Sequence, residues 1–428
     1  MSRPTAAVLL TGSELLDGRT RDRNGHYLGG TLAASGFRVD HVVLAPDDPD
    51  VLRRDLRFLL DQRPALLVTS GGLGTTHDDL TAATIAGVSG NALVSDPEAL
   101  RMVTVTTRRV ATRRGLAFEE LLPAMARQAL LPRGSRAIAP AGVAPGFALR
   151  HEATAIVALP GVPWELEAMW PDVLAAFAAE AGAAPARRLT MRIYGWGEVQ
   201  VAALLDGAST ERLRLAITAA DGEVTITAGY DADDRAASAQ ADALAAALRA
   251  AAPVFSSDGR SIDFIVADLL RSQGATVALA ESCTGGLLSG RLTELPGSSD
   301  YVLGGALVYA DAAKRELLGV PADLLAAQGA VSEPVARAMA EGVRERLGAT
   351  YGLSVTGIAG PGGATPDKPV GLVFIGCAGP GGTVVRRHEF PGDRATVRAW
   401  SVVSALHQLR RALAAGASAL PPDPLVAT

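Results

Sequence analysis

Three short apolar runs in this chain break off into glycine-rich polar turns, and each turn opens a helical pattern. Residues 6–11 lead into Gly12-Ser13-Glu14, residues 66–70 into Gly71-Gly72-Leu73-Gly74, and residues 276–280 into Glu281-Ser282-Cys283-Thr284-Gly285-Gly286. A buried strand that ends in such a turn and feeds a helix is the repeating piece of a parallel sheet. In sheets of this kind ligands sit beyond the carboxyl ends of the strands, where these turns lie. The first region carries the alternation furthest. Strand 6–11 is followed by helix 24–35, strand 38–44, helix 50–62 and strand 66–70, with Val51, Leu52, Leu56, Leu59 and Leu60 on one helical face. The fold class is α/β, with helices on both faces of the sheet.

A length of 428 residues predicts two or three domains. The run Leu159-Pro160-Gly161-Val162-Pro163 closes the first unit, and an Ala/Pro/Arg stretch over 181–188 marks a boundary. The expected division is a three-layer α/β domain over 1–170, a small α+β linker over 171–257, a second α/β domain over 258–418 and a flexible tail over 419–428. The linker reads as a hairpin of 213–218 with 223–230 and an alanine-rich helix over 233–250, a spacer without chemistry. With 45 acidic against 40 basic residues, a net charge of −5 gives no support to general nucleic-acid binding. Cys283 and Cys377 cannot build a disulfide framework, no export signal opens the chain, and no uncharged segment reaches a membrane span. A cytoplasmic protein is expected.

The chain has only two lysines, Lys314 and Lys368; every other basic side chain is arginine. Arginine cannot release its proton in a protein, whereas a desolvated lysine can. Lys314 falls in the first turn of a helix over 312–318, capped by Asp311, where the positive end of the helix dipole disfavours an ammonium. Tyr309, one short turn earlier, could hold the lysine or relay a proton. Ser282 on its sharp turn is the candidate nucleophile, with N–H groups at Thr284, Gly285 and Gly286 for an oxyanion; a plain capping turn is the alternative. His388 and His407 have no evident carboxylate partner, so a Ser–His–Asp triad is disfavoured. Cys283 is a rival nucleophile that alternation points away. Gly297, Ser298 and Ser299 suit a phosphate or ribose. Thr356, Gly357 and Gly360, with Lys368 beyond, form a second loop built for a ligand.

Four of these motifs in order, Ala280-Glu-Ser-Cys-Thr-Gly-Gly, Pro296-Gly-Ser-Ser, Thr356-Gly-Ile-Ala-Gly-Pro-Gly-Gly and Lys368-Pro-Val-Gly, resemble the CinA C-terminal domain. The N-terminal region resembles the matching CinA N-terminal domain, related to the MoaB/MogA molybdopterin-binding fold. Its carriers are Gly12-Ser-Glu-Leu-Leu, Gly71-Gly-Leu-Gly-Thr-Thr-His-Asp-Asp-Leu-Thr, Gly142-Val-Ala-Pro-Gly and Leu159-Pro-Gly-Val-Pro. The resemblance implies a nicotinamide mononucleotide deamidase of pyridine-nucleotide salvage. The family's functional serine, tyrosine and lysine fall on Ser282, Tyr309 and Lys314, and no cofactor is expected for that step. It also implies a metal-dependent ADP-ribose pyrophosphatase in the N-terminal domain, where Thr75 and Val143 depart from the family's pattern. There Gly71, Gly72 and Gly74 offer N–H groups to phosphate, and Glu14, Asp78 and Asp79 offer hard oxygens to a divalent metal; capping of helix 80–86 is the other role open to Asp78 and Asp79. A homodimer acting on a small nucleotide, with no nucleic-acid or membrane partner, is expected. Two alternatives stand beside this reading. One is a pyrophosphatase with an inactive amidase domain. The other is a competence-related interaction scaffold that uses Arg108, Arg109, Arg113 and Arg114.

Overall fold

The computed structural model describes residues 3–185, 187–206, 208 and 210–415, so the expected tail lies outside the described residues. The chain divides into two compact units, 1–187 with 231–233, and 188–230 with 234–428.

The first unit is built on β1 (Thr5–Thr11), β2 (Arg38–Ala45), β3 (Leu66–Ser70), β4 (Arg136–Ile138), β5 (Gly146–His151) and β6 (Thr154–Leu159), in the order β2-β1-β3-β6-β5-β4. β1 pairs in parallel with β2 and β3, and β3 with β6. β5 runs antiparallel to both of its neighbours, because the tight connection between His151 and Thr154 has no room for a crossover. Alternate residues of the buried strands feed two cores. Leu9, Leu67 and Ile156 face α2 (Pro49–Asp61), while Val8, Val68 and Val157 face α1 (Asn24–Ala34) and α4 (Pro163–Glu180). Asp48 fixes the start of α2 by accepting from Asp50 N and Val51 N, with Pro49 in the first turn. α3 (Thr81–Val88) follows the 71–80 loop.

The second unit holds two sheets. The smaller comprises β7 (Arg187–Tyr194), β8 (Arg214–Ala220), β9 (Glu223–Tyr230) and β10 (Val254–Ser256), ordered β8-β9-β7-β10 and covered by α5 (Arg235–Ala251). The larger comprises β11 (Val277–Glu281), β12 (Val302–Leu307), β13 (Tyr351–Gly357), β14 (Leu372–Gly379) and β15 (Gly382–Glu389), ordered β12-β11-β13-β14-β15. β11 is parallel to β12 and β13, and the last two strands return antiparallel. Its helices are α6 (Ile262–Ser272), α7 (Leu287–Thr293), α8 (Asp311–Leu318), α9 (Ala322–Gln328), α10 (Glu333–Leu347) and α11 (Arg394–Ala415). Leu279, Leu353 and Ile375 pack with α6 and α11 on one face, and Ala278 and Ala280 pack with Val335 and Met339 of α10 on the other.

The small α+β piece shares this compact unit instead of standing apart as a spacer. Tyr194 stacks on His407 of α11 at 3.7 Å between ring centres, and its hydroxyl lies 3.0 Å from Ser404 Oγ. Glu223 Oε1 lies 2.8 Å from His407 Nε2. No helix among the described residues is long and apolar enough to cross a membrane.

Candidate active site

β11 ends at Glu281, a carboxylate only 1 % exposed. Its Oε2 accepts from Gly286 N at 3.0 Å and Leu288 N at 3.1 Å, and its Oε1 from Ser289 N at 2.8 Å and Ser289 Oγ at 2.5 Å. The charge therefore plugs the N-terminus of α7 and fixes the turn that carries Ser282. The turn reverses through Gly285 and Gly286 at φ 61° and 92°, where a β-carbon would be strained. Ser282 N donates to Val355 O at 3.0 Å, and Val308 N to Glu281 O at 2.8 Å. The parallel register sets Glu281 opposite both Leu307 and Val355, so the three strands deliver Ser282, Tyr309 and Thr356 to one edge of the sheet.

Two of the three expected oxyanion donors are already engaged. Gly285 N donates to Ser282 O at 3.1 Å and Gly286 N to Glu281, which corrects the assignment of both glycines. Thr284 is fully buried, and its carbonyl accepts from Arg398 Nη2 at 2.8 Å. Arg398 Nε also donates to Cys283 O at 3.1 Å, so α11 clamps the turn from outside. Cys283 is buried beneath the turn, and burial pushes its thiol up to about 12, which keeps it protonated near neutral pH.

Lys314 is 1 % exposed, an uncommon place for an ammonium. Its Nζ donates to Tyr309 O at 3.0 Å and lies 3.6 Å from the exposed Asp311 carboxylate. Burial drives its pKa below the usual 10.5, against the opposing pull of Asp311. The cap lies one residue earlier than expected, at Ala310, and Asp311 is already helical. Of the two roles read for Tyr309, holding the lysine falls to the main-chain carbonyl of that residue. Its ring is 59 % exposed and its hydroxyl accepts from Arg394 Nη2 at 3.1 Å. Arg394 Nη1 donates to Gly360 O at 2.8 Å and so ties the 357–363 loop to the same edge. Sequence reasoning missed Glu281, Arg394 and Arg398. In a chain whose cations are almost all arginine, an arginine carries little signal, and all three side chains act on partners distant in sequence or on main-chain groups.

Three expected ligand contacts are placed elsewhere. Gly297, Ser298 and Ser299 precede β12 and therefore lie at its amino end, about 16 Å of extended strand from the Ser282 edge. α7 runs back across the sheet before β12 begins, so consecutive motifs fall on opposite edges. Thr356 Oγ1 donates to Ala330 O at 2.9 Å and is fully buried, a structural tie. Lys368 Nζ donates to Gln328 O at 2.7 Å, at the C-terminal end of α9.

In the first unit a cleft of about 650 Å³ opens beyond the carboxyl ends of β1 and β3. Glu14, Gly71, Gly72, Gly74, Asp78 and Asp79 all line it. Gly71 needs φ 103°, and a β-carbon there would stand 2.5 Å from Thr11 O. Gly71 N is spent on Leu159 O at 3.1 Å and Gly74 N on Asp79 Oδ1 at 2.7 Å, so of the three expected phosphate donors Gly72 is left. Asp79 Oδ2 accepts from Thr76 N at 2.7 Å and Thr76 Oγ1 at 2.6 Å, which makes this carboxylate the organiser of its own loop. Among the described residues no group of three or more His, Cys, Asp or Glu is gathered to hold a metal ion. Glu165, buried in the cleft wall, is pushed above the usual carboxylate range by burial, opposed by the main-chain N–H groups of Val143 and Ala144.

Residues 260–413 match the family model described as the CinA C-terminal domain, and residues 7–180 match the one described as a probable molybdopterin binding domain. A CinA-like protein of Mycobacterium sp. (strain JLS) is 44 % identical over 421 residues, covering 96 % of this chain and 99 % of its own. A CinA-like protein of Mycobacterium tuberculosis is 38 % identical over 423 residues, covering 95 % and 97 %. Among solved structures, a CinA superfamily protein of Klebsiella pneumoniae is 32 % identical and covers 36 % of this chain and 99 % of its own, with a TM-score of 0.35. A competence/damage inducible protein of Agrobacterium tumefaciens is 39 % identical and covers 35 % and 93 %, with a TM-score of 0.34. On full-length similarity to such relatives, the chain belongs to the CinA family and joins a MoaB/MogA-like domain to a CinA C-terminal domain.

Proposed function

We propose that this protein hydrolyses the carboxamide of nicotinamide mononucleotide, giving nicotinate mononucleotide and ammonia, with Ser282 as nucleophile and Lys314 as general base. The observation that carries this reading is the burial of Lys314 at the sheet edge where Ser282 emerges. A lysine whose charged form is disfavoured can accept a proton that an arginine could not. Ser282 Oγ attacks the carboxamide carbon as its proton passes to Lys314 Nζ. The tetrahedral intermediate collapses, the amine takes that proton, and ammonia leaves. Water, deprotonated by the same lysine, then opens the acyl-enzyme and frees the serine. With Gly285 N and Gly286 N engaged, the Cys283 and Thr284 amides are the donors the turn keeps for the oxyanion. Arg394, fixed between Tyr309 and Gly360, is the cation this edge presents to the substrate's phosphate. The deciding experiment incubates the purified chain with nicotinamide mononucleotide and measures ammonia; no release above a Ser282→Ala control would remove the reading.

The cleft of the first unit favours a second site in the same chain. Gly72 at a strand-end turn, with Arg21 and Arg23 also on the lining, suits a phosphorylated ligand such as ADP-ribose. Hydrolysis of ADP-ribose there would join the oxygen of one water to a phosphorus and break the bridging P–O bond, releasing adenosine monophosphate and ribose 5-phosphate.

A further inference from the structure

The two edges of the second unit's larger sheet are built differently. β15 closes one side and carries the exposed pair Arg387 and Glu389, 3.0 Å apart, charges that hinder pairing with a further strand. β12 closes the other, and its run Val302-Leu303-Gly304-Gly305-Ala306-Leu307 holds no charge and no proline. Leu303 and Leu307 are 44 % and 54 % exposed and alternate onto one face. A β-carbon on Gly286 would stand 3.9 Å from Leu307 Cδ1, so this apolar stripe runs up to the turn that carries Ser282. A bare, uncharged edge is a template for another strand, and its two glycines let a second backbone come close.

The edge is complementary to itself. A two-fold axis through Gly305 sets Leu303 of each copy opposite the partner's Leu307 and puts glycine against glycine at the centre. A slip of one residue would turn Leu303 toward the partner's Ala306, on the wrong face. Charge agrees. Arg271 reaches the amino end of β12, donating to Pro296 O at 2.8 Å, and the exposed Asp311 lies just beyond the carboxyl end, so the two-fold brings opposite charges together.

The same register moves the 297–299 turn to the reacting edge. Within one chain that turn lies at the amino end of β12, away from Ser282. Antiparallel pairing carries the partner's turn to residues 309–311, the connection that leads to Lys314. Gly297 turns at φ 77° and leaves Ser299 exposed, so donors suited to phosphate or ribose arrive where Arg394 meets Tyr309. We propose that two copies of this chain join their β12 strands in antiparallel register, Leu303 against Leu307, and that each copy's Gly297–Ser299 turn completes the Ser282 site of the other. The second half of this inference rests on the deamidase reading given above.

Sedimentation equilibrium of the full chain should show a dimer, and Leu303→Glu should weaken it about tenfold or more by setting carboxylates against leucine. Chains with Leu303→Cys mixed with chains with Leu307→Cys should be joined by a short bifunctional thiol reagent, because directly opposite residues lie about 5 Å apart. Either variant alone should give no such product, and the native Cys283 and Cys377 are buried. Complementation reads the shared site. Ser282→Ala chains co-expressed with chains bearing Ser298→Ala and Ser299→Ala should release ammonia at about a quarter of the parental rate at limiting substrate, since about half of the random dimers hold one intact site. Neither variant alone should exceed about a tenth. A monomeric parent, a dimer that Leu303→Glu leaves intact, or a mixture no more active than its separate parts would overturn the proposal. If the parent releases no ammonia while the 303–307 cross-link forms, the deamidase reading falls and the paired edge stands.

Discussion

In the second unit the carboxylate that orders the strand-end turn comes before it, at Glu281; in the first unit it comes after, at Asp79. Glu281 reaches forward from the last residue of β11 and takes up the N–H groups that open α7. An anion is already bound there, within the protein, so the chemistry of that edge passes to side chains: Ser282, Lys314 and Arg394. Asp79 instead reaches back to Gly74 and Thr76 and leaves the strand-proximal part of its turn facing an open cleft. One turn sets a serine at the edge that buries a lysine, and the other lines an open cleft. Two similar glycine-rich strings thus diverge because of where one acidic residue falls relative to them.

Four measurements sharpen or break this contrast. Ser282→Ala should lower ammonia release by roughly 10³-fold or more, while the thermal midpoint and ligand binding by the first unit stay as in the parent. Retained deamidation would mean that the turn after β11 is structural too. Lys314→Arg keeps the charge but cannot supply a neutral base, so a loss of about 10²-fold or more is expected. In the parent the rate should rise with pH through a lysine pKa below 10.5, because only the uncharged amine takes the serine proton. Linkage has the same sign. The folded pKa is depressed, so from the folded pKa up to 10.5 the unfolded chain holds more protons, and Lys314's penalty on stability fades as pH rises through that window. An arginine variant at parental rate, or a flat profile, would exclude proton transfer at this residue.

The third measurement compares the two carboxylates. Glu281→Gln disturbs four hydrogen bonds around a buried charge and should cost about 2–3 kcal/mol of unfolding free energy, against about 1 kcal/mol for the more exposed Asp79→Asn. Urea unfolding monitored separately in each unit would show the order, and a reversed order would void the contrast. The smallest effect belongs to Tyr309→Phe. Lys314 is held by the Tyr309 carbonyl, which the substitution keeps, so the rate should fall no more than about threefold to tenfold through loss of the Arg394 contact. A loss as large as that of Lys314→Arg would give the phenol the proton-relay role that its exposure argues against.

Much of this was legible in one dimension. Strand–turn–helix order, apolar runs and glycine at strand ends predict β1, β3 and β11 almost to the residue, since burial on both sheet faces leaves a signature in every strand position. The singularity of Lys314 among arginines was equally visible. The placement of the 297–299 loop was not, because adjacency of motifs along the chain says nothing about which edge a returning helix reaches. Neither were the antiparallel edges of both larger sheets, the docking of Tyr194 on His407, the ties of Arg394 to Tyr309 and Gly360, or the hold of Arg398 on the 282–286 turn, since each joins residues far apart in sequence.

Residue types and their periodicity determined which segments fold as strands and helices, and which side chains have the chemistry to attack, accept a proton or bind an anion. Tertiary structure decided which of those groups meet and which are already occupied. It spent the Gly286 amide on Glu281 and the Gly71 amide on Leu159, turned the Tyr309 ring outward, and buried Lys314. The physical reason is that hydrogen-bond capacity and desolvation belong to surroundings, and surroundings exist only once distant parts of the chain have packed.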